Sequence, residues 1–403
     1  MSDELLSRRR LIKTLAAGAA ATMCSRRGLA AGMQSQSPPR EPPSTITNPP
    51  RDFGPNAPPA IYPDPDIIAV DPAFNAYIQR NTSIKRIWTG ALWAEGPAWS
   101  AQGRYLVWSD IPNNRQLRWL EDDDRVTVFR GASNNSNGNT FDFEGRQLSC
   151  EHLTRRVVRY EHDGSITVVA DSYNGKRLNS PNDIAAHPDG SYWFSDPPYG
   201  GQLYEGQVDA AGGPTNSSGR LRARVGQIAD AGNMRRELPN GVYRVDPKGK
   251  VTLVISEQQL PDPNGLAFSP DYKKLYVVST GRGPGDTGPG GKGELFSFDV
   301  TANNTVANQQ LFTDFMADGI KSSSDGVRCD VDGNVWCSSN AGRAIGYSGV
   351  TIWSAAGKLI GRIRLPEGCA NLCFGGPKRN RLFMTASQSL YAVYVNTQGA
   401  APG

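Results

Sequence analysis

Apolar and polar residues alternate in short runs along most of the chain, and six of these runs share one form. Each begins at a polar turn and continues with alternating apolar residues that end in a small or acidic residue. This is the pattern of a tight turn followed by a β-strand. The runs span residues 101–110, 143–151, 188–196, 270–279, 331–339 and 376–384. Their repetition predicts a protein built from similar β-units.

The spacing of the repeats indicates the size of each unit. The turn positions Gly103, Gly145, Gly190, Tyr272, Gly333 and Arg379 lie 42, 45, 82, 61 and 46 residues apart. The ordinary interval suits one four-stranded propeller blade, and the two long intervals contain inserts near 200–240 and 281–293. Further strand pairs follow the runs, such as 116–119 with 125–129. We therefore predict an all-β fold, a six-bladed β-propeller with four-stranded blades, in which residues 84–88 complete the last blade.

The first residues predict an export signal. Arg8, Arg9, Arg10 and Lys13 precede a short apolar run and then several small residues, which is the order of a signal peptide of the twin-arginine type. The apolar run is too short to span a bilayer. We expect a signal over 1–31, a Pro-rich linker over 32–65 and a catalytic propeller over 66–398. The mature protein is then periplasmic or secreted and has no membrane attachment.

The charge distribution argues against a nucleic-acid partner. Residues 1–31 account for the net charge of +4, and the rest of the chain has equal numbers of basic and acidic residues. A body without a basic excess lacks the electrostatic footprint of a nucleic-acid binder. Three histidines exclude a His-rich metal centre, and the six cysteines contain no CxxC pair. No pattern in the chain specifies an oligomer.

An oxygen-bearing polar residue lies eight positions before each of the six turn residues. Because the first strand of each blade lines the central channel, these side chains are expected to form a ring at one mouth of the channel. The ring residues are Glu95, Asn137, Asn182, Asn264, Asp325 and Asn371. Carboxylate and amide oxygens of this kind suit a hard divalent cation. The alternative is that these residues only form turns, since Asn-Gly and Asp-Gly pairs are common in turns. Turn formation explains poorly why all six repeats have such a residue at the same position.

The second strand of each blade should return to the same mouth. His152 and Asp196 follow or end such strands, and each is a candidate for substrate contact or proton transfer. The alternatives are a surface histidine and a turn-starting aspartate. The insert over 200–240 begins at this face and is either a lid or a solvated loop. The glycine-rich run over 281–293 lacks the GK[ST] ending of a phosphate loop.

At these residues the sequence resembles the senescence-marker-protein/gluconolactonase family, also called regucalcin-like, over roughly residues 66–395. The motifs are specific through their order and phase. They are EGPAW at 95–99, WSDIPNNR at 108–115, CEH at 150–152, SPND at 180–183, SDPPYG at 195–200, PNG at 263–265, SDG at 324–326 and NLCFGG at 371–376. The resemblance implies a six-bladed propeller that holds one divalent cation on its axis and hydrolyses sugar-type lactones.

The resemblance also implies roles for individual residues. Glu95, Asn182, Asn264 and Asp325 correspond to the metal ligands, and Asp325 to the general base that activates water. Asn137, His152 and Asp196 would then contact substrate hydroxyls. The cation implied is Ca²⁺, with Zn²⁺, Mn²⁺ and Mg²⁺ as alternatives, and the partner is a small lactone. Regucalcin-type members have an arginine two residues before the asparagine at 182, where this chain has Ser180.

Two other functions stay open at this point. Similar rings occur in diisopropylfluorophosphatase and the paraoxonases, so a promiscuous esterase or phosphotriesterase is the nearer alternative. A non-enzymatic calcium-binding scaffold is the second, although the presence of both Glu95 and Asp325 favours an enzyme.

Overall fold

The computed structural model describes residues 51–201, 236–280, 291–342 and 344–402, and it confirms the predicted six-bladed propeller. Six antiparallel blades of four strands follow one another along the chain, and the sheet of one blade carries a fifth strand at its edge. The predicted signal over 1–31, the linker up to residue 50 and most of both inserts lie outside the described residues. The twin-arginine signal and the periplasmic or secreted location therefore stay predictions. Within the described ranges, no helix reaches the length and apolarity that a bilayer crossing requires.

The first three blades lie between residues 94 and 256. Before them come β1 (Ile67–Ala69), a 3-10 helix (Pro72–Tyr77) and β2 (Lys85–Thr89). Blade 1 contains β3 (Ala94–Ser100), β4 (Tyr105–Asp110), β5 (Arg115–Leu120) and β6 (Arg125–Gly131). Blade 2 contains β7 (Ser136–Phe141), β8 (Gln147–Glu151), β9 (Arg156–Tyr160) and β10 (Ile166–Ala170), followed by a short hairpin of β11 (Ser172–Tyr173) and β12 (Lys176–Arg177). Blade 3 contains β13 (Ile184–Ala186), β14 (Tyr192–Asp196), β15 (Gly241–Val245) and β16 (Val251–Ser256), with a 3-10 turn (Tyr199–Gly201) after β14.

The last three blades are formed mainly by residues 263–394. Blade 4 contains β17 (Pro263–Phe268), β18 (Lys274–Ser279), β19 (Glu294–Val300) and β20 (Val306–Thr313), followed by a hairpin of β21 (Met316–Ala317) and β22 (Ile320–Lys321). Blade 5 contains β23 (Val327–Cys329), β24 (Val335–Ser339), β25 (Gly349–Trp353) and β26 (Leu359–Arg364). Blade 6 contains β27 (Cys369–Gly375), β28 (Arg381–Ala386) and β29 (Ser389–Tyr394).

Strand β2 supplies the fourth strand of blade 6. It pairs antiparallel with β29, with Lys85 opposite Ala392 and Thr89 opposite Ser389. The two ends of the propeller are thereby joined in one sheet, as residues 84–88 predicted. Strand β1 was not predicted, and it adds a fifth strand to the outer edge of blade 5, where Ile67 lies opposite Ile363.

The burial of the strands follows their position in the blade. First strands such as β3, β17 and β27 are buried along almost their whole length, and fourth strands such as β10 and β20 are largely exposed. Apolar side chains from neighbouring blades pack between the sheets. Between blades 6 and 1, for example, the Trp99 ring stacks on Phe383 with a centroid distance of 5.9 Å. The cysteines of the described chain, Cys150, Cys329, Cys337, Cys369 and Cys373, are buried free thiols.

Residues 51–65, which the composition assigns to the linker, pack against the propeller. The Arg51 guanidinium pairs with Asp64 at 2.9 Å and with Asp66 at 2.6 Å. The Phe53 ring makes an edge contact with Tyr391 at a centroid distance of 5.4 Å. A high proline content indicates an extended backbone, but it does not tell whether that backbone is packed. Residues 51–65 therefore pack on the propeller surface, although they precede residue 66, the predicted start of the propeller.

Candidate active site

The six predicted ring residues all lie where the innermost strands begin. Four of them stand within the first strands of blades 1, 2, 4 and 6, and Asn182 and Asp325 lie two residues before those of blades 3 and 5. The pairing register shifts at this point in β3, β7, β17 and β27. Such bulges re-aim a side chain next to a functional site. The second strands return to the same end, since Asp110 lies opposite Ala94 and Glu151 opposite Ser136.

Glycines beside the ring let neighbouring blades approach closely. The Gly138 N–H donates to the Asn182 carbonyl at 2.7 Å, and the Gly265 N–H donates to the Asp325 carbonyl at 2.9 Å. A Cβ atom at Gly138 or Gly265 would lie 2.3 or 2.2 Å from the same carbonyl oxygens. Neither glycine has a positive φ. The Asn-Gly pairs at these positions are therefore explained by close backbone approach, and not by turn formation.

The ring side chains differ in exposure and in hydrogen bonding. Glu95 and the four asparagines are buried, whereas Asp325 is partly exposed. The Oδ1 atoms of Asn137 and Asn264 are buried without a hydrogen-bond donor, and leaving a buried acceptor unsatisfied costs about 1–3 kcal/mol. A bound cation or the hydroxyl group of a substrate would satisfy such oxygens. The donor set of the ring therefore fits a hard cation.

The two ring acids both act on the buried Cys369 thiol. Burial, followed by the charges of Glu95 and Asp325, raises the pKa of the buried Cys369 thiol well above its usual range. Across the described residues, no three His, Cys, Asp or Glu side chains cluster as a metal site. A cation at this mouth would therefore need amide oxygens as well as the two carboxylates.

Asn371 is the ring member whose amide is already used within the protein. Its Oδ1 accepts a hydrogen bond from the Leu372 N–H at 2.9 Å, and its Nδ2 lies 3.5 Å from Asp183 Oδ2. It differs in this from Asn137 and Asn264. All three asparagines have the same position in the repeat. That position therefore could not predict which amide is hydrogen-bonded within the protein.

His152 lies beside the ring and is fully buried. Its Nε2 is 3.4 Å from Nδ2 of Asn137. A Cβ atom at Gly200 would lie 2.9 Å from the His152 ring, so the segment after β14 packs directly over it. The alternative of a surface histidine is thus wrong, and contact with substrate stays a prediction.

Asp196 is also fully buried, and it supports the segment that leads to Asn182. Its Oδ2 accepts from the Asn179 N–H at 2.7 Å and its Oδ1 from the Ser180 N–H at 2.8 Å. Burial raises the pKa of Asp196 to about 7, although these two amides and the charge of Arg155 oppose the rise. Both carboxylate oxygens are thus engaged by backbone. Substrate contact by Asp196 stays a prediction.

We expect Asp196→Asn to flatten the pH dependence of stability. Because the pKa of about 7 in the folded protein lies above the ordinary value of 3.8, the folded state binds this proton more tightly than the unfolded chain does. The contribution of Asp196 to the free energy of unfolding is therefore full below pH 4 and is lost as the pH rises through 7. Urea denaturation gives the free energy of unfolding at pH 5 and at pH 8. The fall in this free energy from pH 5 to pH 8 should be about 2 kcal/mol smaller in the variant than in wild type. Exposed Asp314→Asn is the control, and equal differences in Asp196→Asn and wild type would contradict the assignment.

The repeat pattern did not point to two residues that lie beside the ring, Asp183 and Arg328. Asp183 stands directly after its ring residue, where four other blades have glycine, and Arg328 stands three residues after Asp325, where the other blades have Ala98, Thr140, Ala185, Ala267 and Phe374. The structure brings these two side chains together in a buried ion pair of 3.1 Å. A comparison of the repeats position by position would have marked both as exceptions.

The fold and the ring define a class of six-bladed propellers with an oxygen-lined mouth. The family model described as SMP-30/Gluconolactonase/LRE-like region matches residues 93–388. The chain therefore belongs to this family, as its motifs predicted.

Individual relatives agree with this assignment. A gluconolactonase from Zymomonas mobilis is 28% identical over 353 residues, which cover 83% of this chain and 87% of the relative. The solved structure of a gluconolactonase from Xanthomonas campestris superposes with a TM-score of 0.66 at 32% identity, over 86% of this chain and 98% of the other. A calcium-binding regucalcin from Agrobacterium tumefaciens, at 19% identity and a TM-score of 0.56, covers 79% of this chain and 94% of its own, and shares the fold.

Proposed function

We propose that this protein is a metal-dependent hydrolase that opens sugar-type lactones. The observation that carries the proposal is the placement of two acids, Glu95 and Asp325, and the unsatisfied amide oxygens of Asn137 and Asn264 where the innermost strands begin. The relatives named gluconolactonase support the substrate class. No feature of the described residues favours a phosphotriester or a purely structural role over this one.

Glu95, Asn182, Asn264 and Asp325 would hold one divalent cation. All four offer oxygen ligands, which suits Ca²⁺ first, with Mg²⁺, Mn²⁺ and Zn²⁺ as alternatives. When bound, the cation would polarise the lactone carbonyl and stabilise the negative charge that develops on its oxygen.

Asp325 would act as the general base. It is the ring acid with solvent access, and its peptide is held on both sides, because its N–H donates to Ser338 Oγ and its carbonyl accepts from Gly265, each at 2.9 Å. The carboxylate would take a proton from water while the water oxygen bonds to the carbonyl carbon. The ring C–O bond of the lactone then breaks, and the proton passes to the departing oxygen to give a hydroxy acid.

Asn137 and His152 would contact the hydroxyl groups of the sugar. Ser180 would not replace the arginine of regucalcin-type members, because its Oγ donates to the Pro197 carbonyl at 2.6 Å and accepts from the Gly200 N–H at 3.0 Å. The hydroxyl is thereby used inside the protein. We propose that substrate selection depends on Asn137 and His152 in place of that arginine.

Metal removal tests this function directly. We expect the purified protein to hydrolyse δ-gluconolactone, to lose that activity in a chelator, and to regain it with added Ca²⁺. The assay follows proton release over a panel of γ- and δ-lactones, with Mn²⁺, Mg²⁺ and Zn²⁺ as further additions. Hydrolysis that is indifferent to the chelator would remove the metal from the mechanism. A folded protein without turnover on any lactone and with any ion would redirect the search to phosphotriesters.

A further inference from the structure

A buried ion pair crosses the channel next to the ring. Arg328 in β23 of blade 5 donates from Nη1 to Asp183 Oδ2 at 3.1 Å and from Nη2 to Asp183 Oδ1 at 3.4 Å. Asp183 belongs to blade 3, and blade 4 lies between the two. The pair therefore spans the channel. The exposed fractions of the two side chains are 11% for Arg328 and 0% for Asp183, so both charges are removed from bulk water.

Asp183 connects this pair to the ring. It directly follows Asn182, and its Oδ2 lies 3.5 Å from Nδ2 of Asn371. A Cβ atom at Gly138 would lie 3.0 Å from Asp183 Oδ1, so blade 2 also packs against the carboxylate. This side chain of blade 3 thus lies against blades 2, 5 and 6 at the level of the ring residues.

Arg328 also interacts electrostatically with one ring acid, Glu95. Burial on its own lowers the pKa of Arg328, whereas the charges of Asp183 and, less strongly, of Glu95 raise it, and on balance it lies above the usual value. Glu95 therefore lies near enough to Arg328 for their charges to interact. The guanidinium acts as a fixed positive charge among the acids of this mouth.

The formal charges of four residues at this level match one divalent cation. Glu95, Asp183 and Asp325 contribute three negative charges, and Arg328 contributes one positive charge. These four residues together carry two negative charges, which is the charge of one divalent ion with opposite sign. Removal of Asp183 or of Arg328 changes this sum by one charge, in opposite directions, and a nearby charge strengthens or weakens the attraction of a cation.

We infer that Arg328 is a positioning residue that sets the charge of the channel so that it takes one divalent cation, and that it does so through Asp183. The inference rests on the proposed function, because it requires a cation at the ring. Loss of Asp183 alone should then weaken cation binding, and loss of Arg328 alone should strengthen it or admit a second ion. Loss of both should restore the original balance.

Calorimetric titration of the metal-free protein with Ca²⁺ tests this inference. We expect Asp183→Asn to weaken Ca²⁺ binding at least about tenfold, and Arg328→Met to tighten it or to raise the stoichiometry above one. The double variant should return to within about threefold of the wild-type dissociation constant. A purely structural role predicts instead that the double variant binds no better than the weaker single variant.

A further variant covers the case in which Arg328→Met does not fold. Arg328→Lys keeps the charge without the guanidinium fork, so it should bind Ca²⁺ within about threefold of wild type if charge decides. Thermal unfolding with and without Ca²⁺ reports the fold of each variant. If wild type binds no divalent cation, both the proposed function and this inference fall. If wild type binds Ca²⁺ and Asp183→Asn binds it equally well, only the inference falls.

Discussion

Asp325→Asn is expected to reduce kcat/KM for δ-gluconolactone by about a thousandfold or more, because an amide cannot accept the proton of the attacking water. The amide oxygen can still serve as a ligand, so Ca²⁺ affinity should fall far less than the rate. The backbone around Asp325 is held by Ser338 and Gly265, so the variant should fold normally. Proton-release kinetics and Ca²⁺ titration measure the two effects separately.

Two further variants make this result specific. Asp332→Asn changes an exposed aspartate of the same blade, in the turn after β23, and should leave activity unchanged. Glu95→Gln replaces a proposed carboxylate ligand by a neutral amide and leaves the base in place, so Ca²⁺ affinity should fall and excess Ca²⁺ should recover much of its activity. Recovery of Asp325→Asn by excess Ca²⁺ would mean that Asp325 acts as a ligand alone.

Gly265→Ala is expected to damage both stability and activity. The new Cβ atom would lie 2.2 Å from the Asp325 carbonyl oxygen, so blades 4 and 5 must separate where the ring residues stand. Overpacking of this kind costs about 1–3 kcal/mol, and the lost hydrogen bond between Gly265 and Asp325 adds about 1 kcal/mol. Because Asn264 and Asp325 would move apart, Ca²⁺ binding should also weaken.

Gly131→Ala is the matched control, since a Cβ atom there meets no atom within 4 Å. Urea denaturation and Ca²⁺ titration of both variants give the comparison. If Gly265→Ala unfolds at the wild-type urea concentration and binds Ca²⁺ normally, then the close approach of the two blades does not determine the geometry of the ring.

The repeat made the fold and most of the candidate site predictable. Blades that share one architecture carry their first strands in the same phase, so Glu95, Asn264 and Asp325 could be placed together without any long-range information. The same reasoning could not place Asp183 and Arg328. Their interaction depends on a difference between blades 3 and 5, and the residues lie 145 positions apart in the chain.

Composition was likewise a partial guide. The prolines before residue 66 favour an extended backbone, yet the packing of residues 51–65 depends on Arg51, Asp64 and Asp66 meeting in space. The position of Asp196 at the end of a second strand made it a candidate for substrate contact. That position does not reveal that its carboxylate accepts hydrogen bonds from the Asn179 and Ser180 amides, because these contacts depend on how the chain before Asn182 folds back.

The pairing of β2 with β29 has a consequence for the order of events during synthesis. The sheet that joins blade 6 to blade 1 takes one strand from residues 85–89 and three from residues 369–394. Its contacts are among the most distant in sequence, and such contacts form late in folding. Glu95 and Asn371 therefore reach their final separation only after almost the whole chain has left the ribosome. A cation that binds this ring must be acquired by a finished propeller, and a nascent chain cannot use it as a template.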